Sequence, residues 1–166
     1  MVGTQEIRTQ RLLLRKIKPE DAEPLLFSGS LNGTSDTAVE NVNNYIEDYN
    51  LPYTYHWVIE YDNRQIGRVL AWDVSLRDEY CQLGYDISQE FRNQGFMTEA
   101  IKAVLLFLLT EADFHRVYCI VRVPNIASNK VCQKAGMILE GTLRKHYKCN
   151  DGYDDVNVYS FIGEDL

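Results

Sequence analysis

The alternation of apolar and polar positions divides the chain into alternating strand-like and helix-like stretches. Arg11–Ile17 reads as a strand, and Pro19-Glu20-Asp21 then suits a first helical turn: proline lacks only a donor that is orphaned there anyway, and acids face the positive end of the dipole. That helix should run to about Phe27. Ser28–Asp36 is rich in Gly, Ser, Asn and Thr, which is loop chemistry, and Val39–Tyr49 predicts a second helix. His56–Tyr61, Gln65–Val74 and Tyr80–Ile87 predict three strands of a meander, the first two joined by Asp62-Asn63-Arg64.

Met97, Ala100, Ile101, Val104, Leu105, Leu108 and Ala112 recur at helical spacing, and Ala103–Leu109 is apolar all round. This predicts a buried central helix. Arg116–Val123 is a further β-rich run. Asn125 suits the N-cap of a helix ending before Gly136, and Met137–Tyr147 could pair with Tyr153–Ile162 across Asn150-Asp151-Gly152. The order predicts a mixed α/β fold. With 166 residues, no internal repeat and no linker, one domain over 1–166 is expected.

Composition narrows the function classes. A formal net charge of −7 does not suit a surface built to hold nucleic-acid phosphates, and it favours a cationic partner. The four cysteines, Cys81, Cys119, Cys132 and Cys149, form no Cys-x-x-Cys pair and no zinc-spaced cluster, so buried free thiols are expected. His56, His115 and His146 are scattered, and no metal site is expected. Met1–Gln10 lacks the apolar core of a signal peptide, and the longest apolar run is too short to span a bilayer. A cytoplasmic location without membrane attachment is therefore the expectation.

The chemistry concentrates in Arg92-Asn93-Gln94-Gly95-Phe96-Met97-Thr98, between the strand ending at Ile87 and the central helix. A turn entering a helix aims several unpartnered N–H groups outward at the positive dipole end, so it can cradle a pyrophosphate. Gly95 permits close backbone approach. On the local pattern alone the segment is equally a plain glycine turn before a helix. Likewise, Asn125, Ser128 and Gly136 read locally as helix punctuation.

Together these residues resemble the GNAT superfamily of N-acetyltransferases, whose coenzyme signature is Arg/Gln-x-x-Gly-x-Gly/Ala. Arg92 and Gly95 match, while Met97 departs at the last position. Arg11-Leu12-Leu13-Leu14-Arg15, Leu83-Gly84-Tyr85, Gly95–Ala100 and Asn125-Ile126-Ala127-Ser128 resemble the RimJ/RimL-like branch, and the likeness covers nearly the whole chain. It implies a splayed, mostly antiparallel sheet flanked by helices. Acetyl-CoA would lie in the V-shaped gap between two central parallel strands, its pantetheine pairing with the backbone of Tyr85, Asp86 and Ile87 and its pyrophosphate on Arg92–Thr98. It further implies that Asn125 touches the pantetheine arm and that Ser128 lies near the sulfur as the donor to the leaving thiolate. Cys132 stands where many members carry a tyrosine acid, and is expected to pack.

An amine nucleophile must be neutral, yet a lysine has a pKa of about 10.4 and an α-amine of about 8. Many members of the family supply a glutamate as base on the coenzyme-bearing strand. Here that stretch reads Tyr80-Cys81-Gln82-Leu83, without a carboxylate. Glu60, Asp73, Glu79 and Asp86 remain as acids that could reach the cleft. The implied activity is direct acetyl transfer to a primary amine, on a protein N-terminus or a small molecule. The missing base keeps a non-catalytic acyl-CoA-binding module open as the alternative. Tyr45, Tyr49, Tyr53 and Tyr55 are candidates to line an acceptor pocket. A homodimer is left open.

Overall fold

The computed structural model describes residues 2–27, 34–51 and 53–166. Among the described residues eight strands form one sheet: β1 (Ile7–Arg8), β2 (Leu13–Arg15), β3 (Tyr55–Tyr61), β4 (Arg64–Ser75), β5 (Tyr80–Ile87), β6 (Arg116–Arg122), β7 (Ile138–Cys149) and β8 (Gly152–Ile162). Their spatial order is β1-β2-β3-β4-β5-β6-β8-β7. The helices are α1 (Ala22–Phe27), α2 (Ser35–Asp48), α3 (Phe96–Thr110) and α4 (Ile126–Ala135). Every neighbouring pair of strands is antiparallel except β5 and β6, the pair joined through α3. A parallel pair needs such a crossover.

Strand alternation sends the two faces of the sheet to different partners. Tyr55, Trp57 and Ile59 of β3, Val69 of β4, Cys81 and Leu83 of β5 and Val117 and Cys119 of β6 pack with α3 and α4 in the larger core. On the other face Val58 packs with Ile17, Ala22, Leu25, Ala38 and Val42 beneath α1 and α2. Arg15 ties this second layer down, with Asp21 at 2.8 Å and Glu60 at 2.7 Å. Asp21 is buried, so its charge is tolerated only because the guanidinium meets it.

The predicted elements appear with informative shifts. The Arg11–Ile17 strand contracts to Leu13–Arg15, because Thr9 and Leu12 close a turn that folds a short β1 back upon it. Residues 28–33 of the expected Ser28–Asp36 loop lie outside the described residues. Its last three positions belong to the start of α2, where Thr34 and Thr37 form a reciprocal cap. Asp62 and Asn63, both at positive φ, make the two-residue turn that joins β3 to β4. The central helix is not buried all round: Leu106 is 52% exposed. Cys81, Cys119 and Cys132 are buried, but Cys149 is half-buried, since it sits where β7 turns into β8 at the edge of the sheet. Among the described residues no helix is long and apolar enough to cross a membrane.

Two of the four tyrosines suggested for an acceptor pocket serve the fold. The Tyr49 hydroxyl accepts from the Ile17 N–H at 2.9 Å and donates to the His56 carbonyl at 2.6 Å, pinning α2 to the sheet. Tyr55 is buried against Trp57 and Phe114. Tyr45 meets the His56 ring edge-on, with centroids 4.3 Å apart.

His56 is 2% exposed, and among the described residues neither ring nitrogen has a hydrogen-bond partner. Burial, aided by the nearby charge of Arg68, pushes its pKa down to about 3. The folded form therefore keeps the ring neutral while the unfolded chain protonates it below about 6.5. Stability present above that pH is lost as pH falls toward 3, at up to about 1.4 kcal/mol per unit. His56→Phe removes this liability, so its acid-unfolding midpoint should lie below that of the wild type in pH-dependent denaturant titrations, with the two proteins converging above pH 7.

Candidate active site

The parallel ladder between β5 and β6 holds for three pairs: Tyr80 with Arg116, Cys81 with Val117 and Gln82 with Tyr118. Beyond Gln82 the strands part. Each keeps its antiparallel partner on the far side, β5 with β4 as far as Ile87 and β6 with β8 as far as Arg122. The sheet thus opens into a V at the carboxyl ends of its two central strands, the place where open α/β sheets bind ligands.

The mouth of the V receives the start of α3. Gly95 is the N-cap with φ 81°, a left-handed conformation that costs other residues about 1–2 kcal/mol, and Asn93 before it is also left-handed at φ 61°. The first intrahelical bond runs from the Glu99 N–H to the Gly95 carbonyl at 3.0 Å. The amides of Phe96, Met97 and Thr98 precede that ladder, leaving a concave turn of donors at the positive end of a long helix.

This turn is braced from behind. Glu99 accepts from the Thr9 hydroxyl at 2.6 Å, the Arg11 N–H at 2.9 Å and the Arg11 guanidinium at 2.7 Å. Arg11 reaches on to the Gln94 carbonyl at 3.1 Å, and its guanidinium carbon lies 4.3 Å from the Phe96 ring centroid. Burial alone would raise the Glu99 pKa, but the bonds from Thr9 and Arg11 outweigh it and hold the carboxyl below its usual range.

The other wall of the V is α4. Asn125 caps it, its side-chain oxygen accepting from the Ser128 N–H at 3.2 Å, and Gly136 ends it at φ 95°. The Tyr85 hydroxyl crosses from β5 to α4, donating to the Ser128 carbonyl at 3.2 Å and lying 3.3 Å from Cys132 Sγ. Burial, followed by the neighbouring thiols, drives the Tyr85 pKa upward, so it stays a protonated donor. Ser128 is half-buried, and its side chain lies within hydrogen-bonding reach of the Tyr85 hydroxyl.

One cleft of about 520 Å³ brings these pieces together. It is lined by Tyr85, Asp86 and Ile87 from β5, Arg92, Asn93, Gly95, Phe96, Met97 and Thr98 from the turn, and Asn125 and Ser128 from α4. Of the residues expected there, Gln94 does not line it; its side chain donates to the Glu90 carbonyl at 2.8 Å. The Asp86 carboxylate pairs with Arg68 at 2.8 Å. Reading the sequence missed Lys130 and Lys134, which also line the cleft. The signal was present: Ala127, Lys130, Val131 and Lys134 fall at helical spacing on one side of α4. Among the described residues no group of His, Cys, Asp and Glu could hold a metal ion.

A splayed mixed sheet, a helix that opens on a left-handed glycine, and a cleft running between them make a site suited to a phosphate-bearing ligand with an extended arm. Residues 11–138 match the family model described as an acetyltransferase (GNAT) domain, and the chain belongs to that family. It is 28% identical to the uncharacterized N-acetyltransferase YoaA of Bacillus subtilis, over 94% of this chain and 96% of that one. It is 29% identical to the ribosomal-protein-serine acetyltransferase of Escherichia coli, over 66% of this chain and 62% of that one. The fold matches the complex of RimL, a ribosomal α-N-protein acetyltransferase, with coenzyme A at a TM-score of 0.87 and 22% identity, covering 95% and 98% of the two chains. The microcin C7 self-immunity acetyltransferase MccE, in complex with acetyl-CoA and AMP, matches at 0.82 and 21% identity, covering 93% of each chain. The chain is therefore an acetyl-CoA-dependent N-acetyltransferase.

The brace behind the turn is open to a direct test. Glu99→Ala removes three hydrogen bonds at once and should lower unfolding free energy by about 1.5–3 kcal/mol, the range for a bond to a charged group. Faster amide hydrogen exchange across residues 92–98, with little change in β7 and β8, is the accompanying result.

Proposed function

We propose that this enzyme transfers acetyl from acetyl-CoA to a primary amine, on a protein N-terminus or a small molecule, by direct attack in a ternary complex. The observation that carries the reading is the convergence in one cleft of the open edge of β5, the Gly95 turn and the Asn125–Ser128 cap. The names of the ribosomal-protein-serine acetyltransferase and of RimL support an α-amine on a protein, and that of MccE keeps a smaller acceptor in view.

The roles come from the chemistry of each wall. The amides opening α3 hold the pyrophosphate, with Arg92, Lys130 and Lys134 adding charge around it. The pantetheine runs into the V beside the backbone of Tyr85, Asp86 and Ile87 and past Asn125, which points the thioester toward the last parallel pair. There a β5 backbone N–H receives the oxyanion of the tetrahedral adduct. A thiol of pKa about 8.5 is a tolerable leaving group, and the Ser128 hydroxyl supplies the hydrogen bond that helps it depart. Tyr85, held by the Ser128 carbonyl and Cys132, positions that turn of α4. Met97, buried at the helix start, packs where the family signature has a smaller residue.

The absence of a carboxylate in the stretch Tyr80-Cys81-Gln82-Leu83 is what favours the second reading, a module that binds acyl-CoA without turning it over. Incubation with acetyl-CoA and an amine panel, with free thiol monitored, separates the two. Transfer predicts amine-dependent thiol release that Ser128→Ala slows at least tenfold in kcat while leaving coenzyme affinity within about threefold. Gly95→Val should instead weaken coenzyme binding at least tenfold, because both its φ and the close approach are lost. Tight coenzyme binding with no thiol release for any amine would favour the module.

A further inference from the structure

We propose that Asp73 is the residue that receives the acceptor's ammonium and takes its proton, on a subsite completed by Trp72 and Tyr118; this rests on the amine acetylation proposed above. Trp72 pairs with Gln82, and Gln82 with Tyr118, so one row of residues crosses β4, β5 and β6 at the last rung before the V opens. A pantetheine arm entering from the Gly95 turn and running back along β5 ends on this row. From Ile87 to Gln82 is five residues of strand, roughly 17 Å, about the reach of an extended arm built from pantoate, β-alanine and cysteamine.

Strict alternation along β4 would turn Asp73 toward the α3 face, where Val69 lies in the core and Ala71 packs against it. It does not go there. The register shifts between Trp72 and Ser75, and Asp73 takes a left-handed φ of 49°. Val74 fills the place against the core instead, and the Asp73 carboxylate swings to the opposite face, where it accepts the Tyr118 hydroxyl. A bulge that re-aims one side chain beside a cleft is a recurrent device of active sites.

The surroundings of the four candidate acids single this one out. Glu60 is paired with Arg15 at 2.7 Å and Asp86 with Arg68 at 2.8 Å. Glu79 is exposed on the left-handed turn that begins β5, beyond the closed end of the ladder, where its carbonyl accepts the His115 and Arg116 amides. Asp73 is exposed, is met by a neutral hydroxyl and lies on the row where the coenzyme's thioester would end. It follows Trp72, whose partner Gln82 belongs to the Tyr80–Leu83 stretch in which the family resemblance leads one to expect a glutamate. The indole of Trp72 lies across Gly84, which has no side chain to obstruct it, and is 44% exposed. An exposed indole on the residue preceding the carboxylate suits an ammonium ion.

Protons and charge balance across the step. The acceptor arrives as R–NH3+, and one proton passes to the Asp73 carboxylate. The freed lone pair forms the N–C bond to the thioester carbon, giving a zwitterionic tetrahedral adduct. As that adduct collapses, the C–S bond breaks, the nitrogen loses its surplus proton and the departing sulfur gains one through the Ser128 hydroxyl. Asp73 returns its proton to water, so each turnover yields amide, coenzyme thiol and one proton. Tyr118 orients Asp73 and is a positioning residue.

The test compares wild type, Asp73→Asn and Tyr118→Phe across amines of graded basicity, from acetohydrazide, already neutral at pH 7, to spermidine and a serine-initiated hexapeptide. For the basic amines Asp73→Asn should lower kcat/KM by about 10²–10⁴-fold. For acetohydrazide the loss should stay under about tenfold, and coenzyme affinity should not move. Tyr118→Phe should show the same dependence on basicity with a smaller loss. In parallel, spermidine should change the fluorescence of the coenzyme-loaded wild type through Trp72, the other tryptophan, Trp57, being fully buried. That change should disappear in Asp73→Asn and in Trp72→Phe. Equal losses for all amines, or none, would overturn the assignment. If the wild type releases no thiol with any amine, the acetyl-transfer reading fails; a spermidine response that still depends on Asp73 then keeps the ammonium subsite, and its absence overturns that as well.

Discussion

The parallel pairing of β5 and β6 for only three residues is the constraint on which the rest depends. A fourth or fifth pair would close the sheet and erase the cleft. Stopping at Gln82 is tolerable because each strand is already secured elsewhere, β5 to β4 and β6 to β8 along their full lengths. The gap is held open by a filled wedge: Tyr85 reaches from β5 to the Ser128 carbonyl and Cys132 on α4, while α3 and α4 pack in the same core as Cys81 and Cys119. The two halves of the sheet therefore part around side chains that also wall the cleft. Stability and site share the same residues, so substitutions at Tyr85 or Cys132 act on both.

Much of the fold was legible in the sequence because its signals are local. The period of 3.6 in α3, the alternation in β3 to β5 and the caps Asn125 and Gly136 are each set by neighbouring residues. Departures arose where a distant partner decides. The strand expected from Arg11 starts late, at Leu13, because Thr9 and Leu12 close a turn in which Arg11 is held by Glu99, and Leu106 is exposed because the core meets only part of an all-apolar stretch. The coenzyme cleft was legible for the same reason as the helices: it is made of helix starts, whose chemistry lies in a few adjacent residues. Lys130 and Lys134 were passed over because the overall charge of −7 masks a local cluster of cations.

The acceptor side was not legible in that way. Four acids stood at comparable prospects along the strands, and only the fold shows that two are paired with arginines. Nor does alternation place Asp73, since a bulge reverses its face. A bulge leaves little mark on hydrophobic periodicity beyond one misplaced residue, here Val74.

This contrast has a physical basis. The donor is one molecule, and backbone amides and a glycine can recognise its pyrophosphate with few side chains, so that wall changes little when individual residues do. The acceptor differs among relatives, and its wall is built from side chains set by register, bulge and packing. Gln82 illustrates the consequence. On the assignment proposed above, a chain with no carboxylate in its Tyr80–Leu83 stretch still presents one beside the row, because the adjacent strand turns Asp73 to that face. The geometric demand is a carboxylate near the amine at the tip of the V, and not a residue at a particular place in the sequence. Bulged strands can therefore exchange the base between neighbours while the coenzyme wall stays fixed, which uncouples acceptor choice from donor binding on one scaffold.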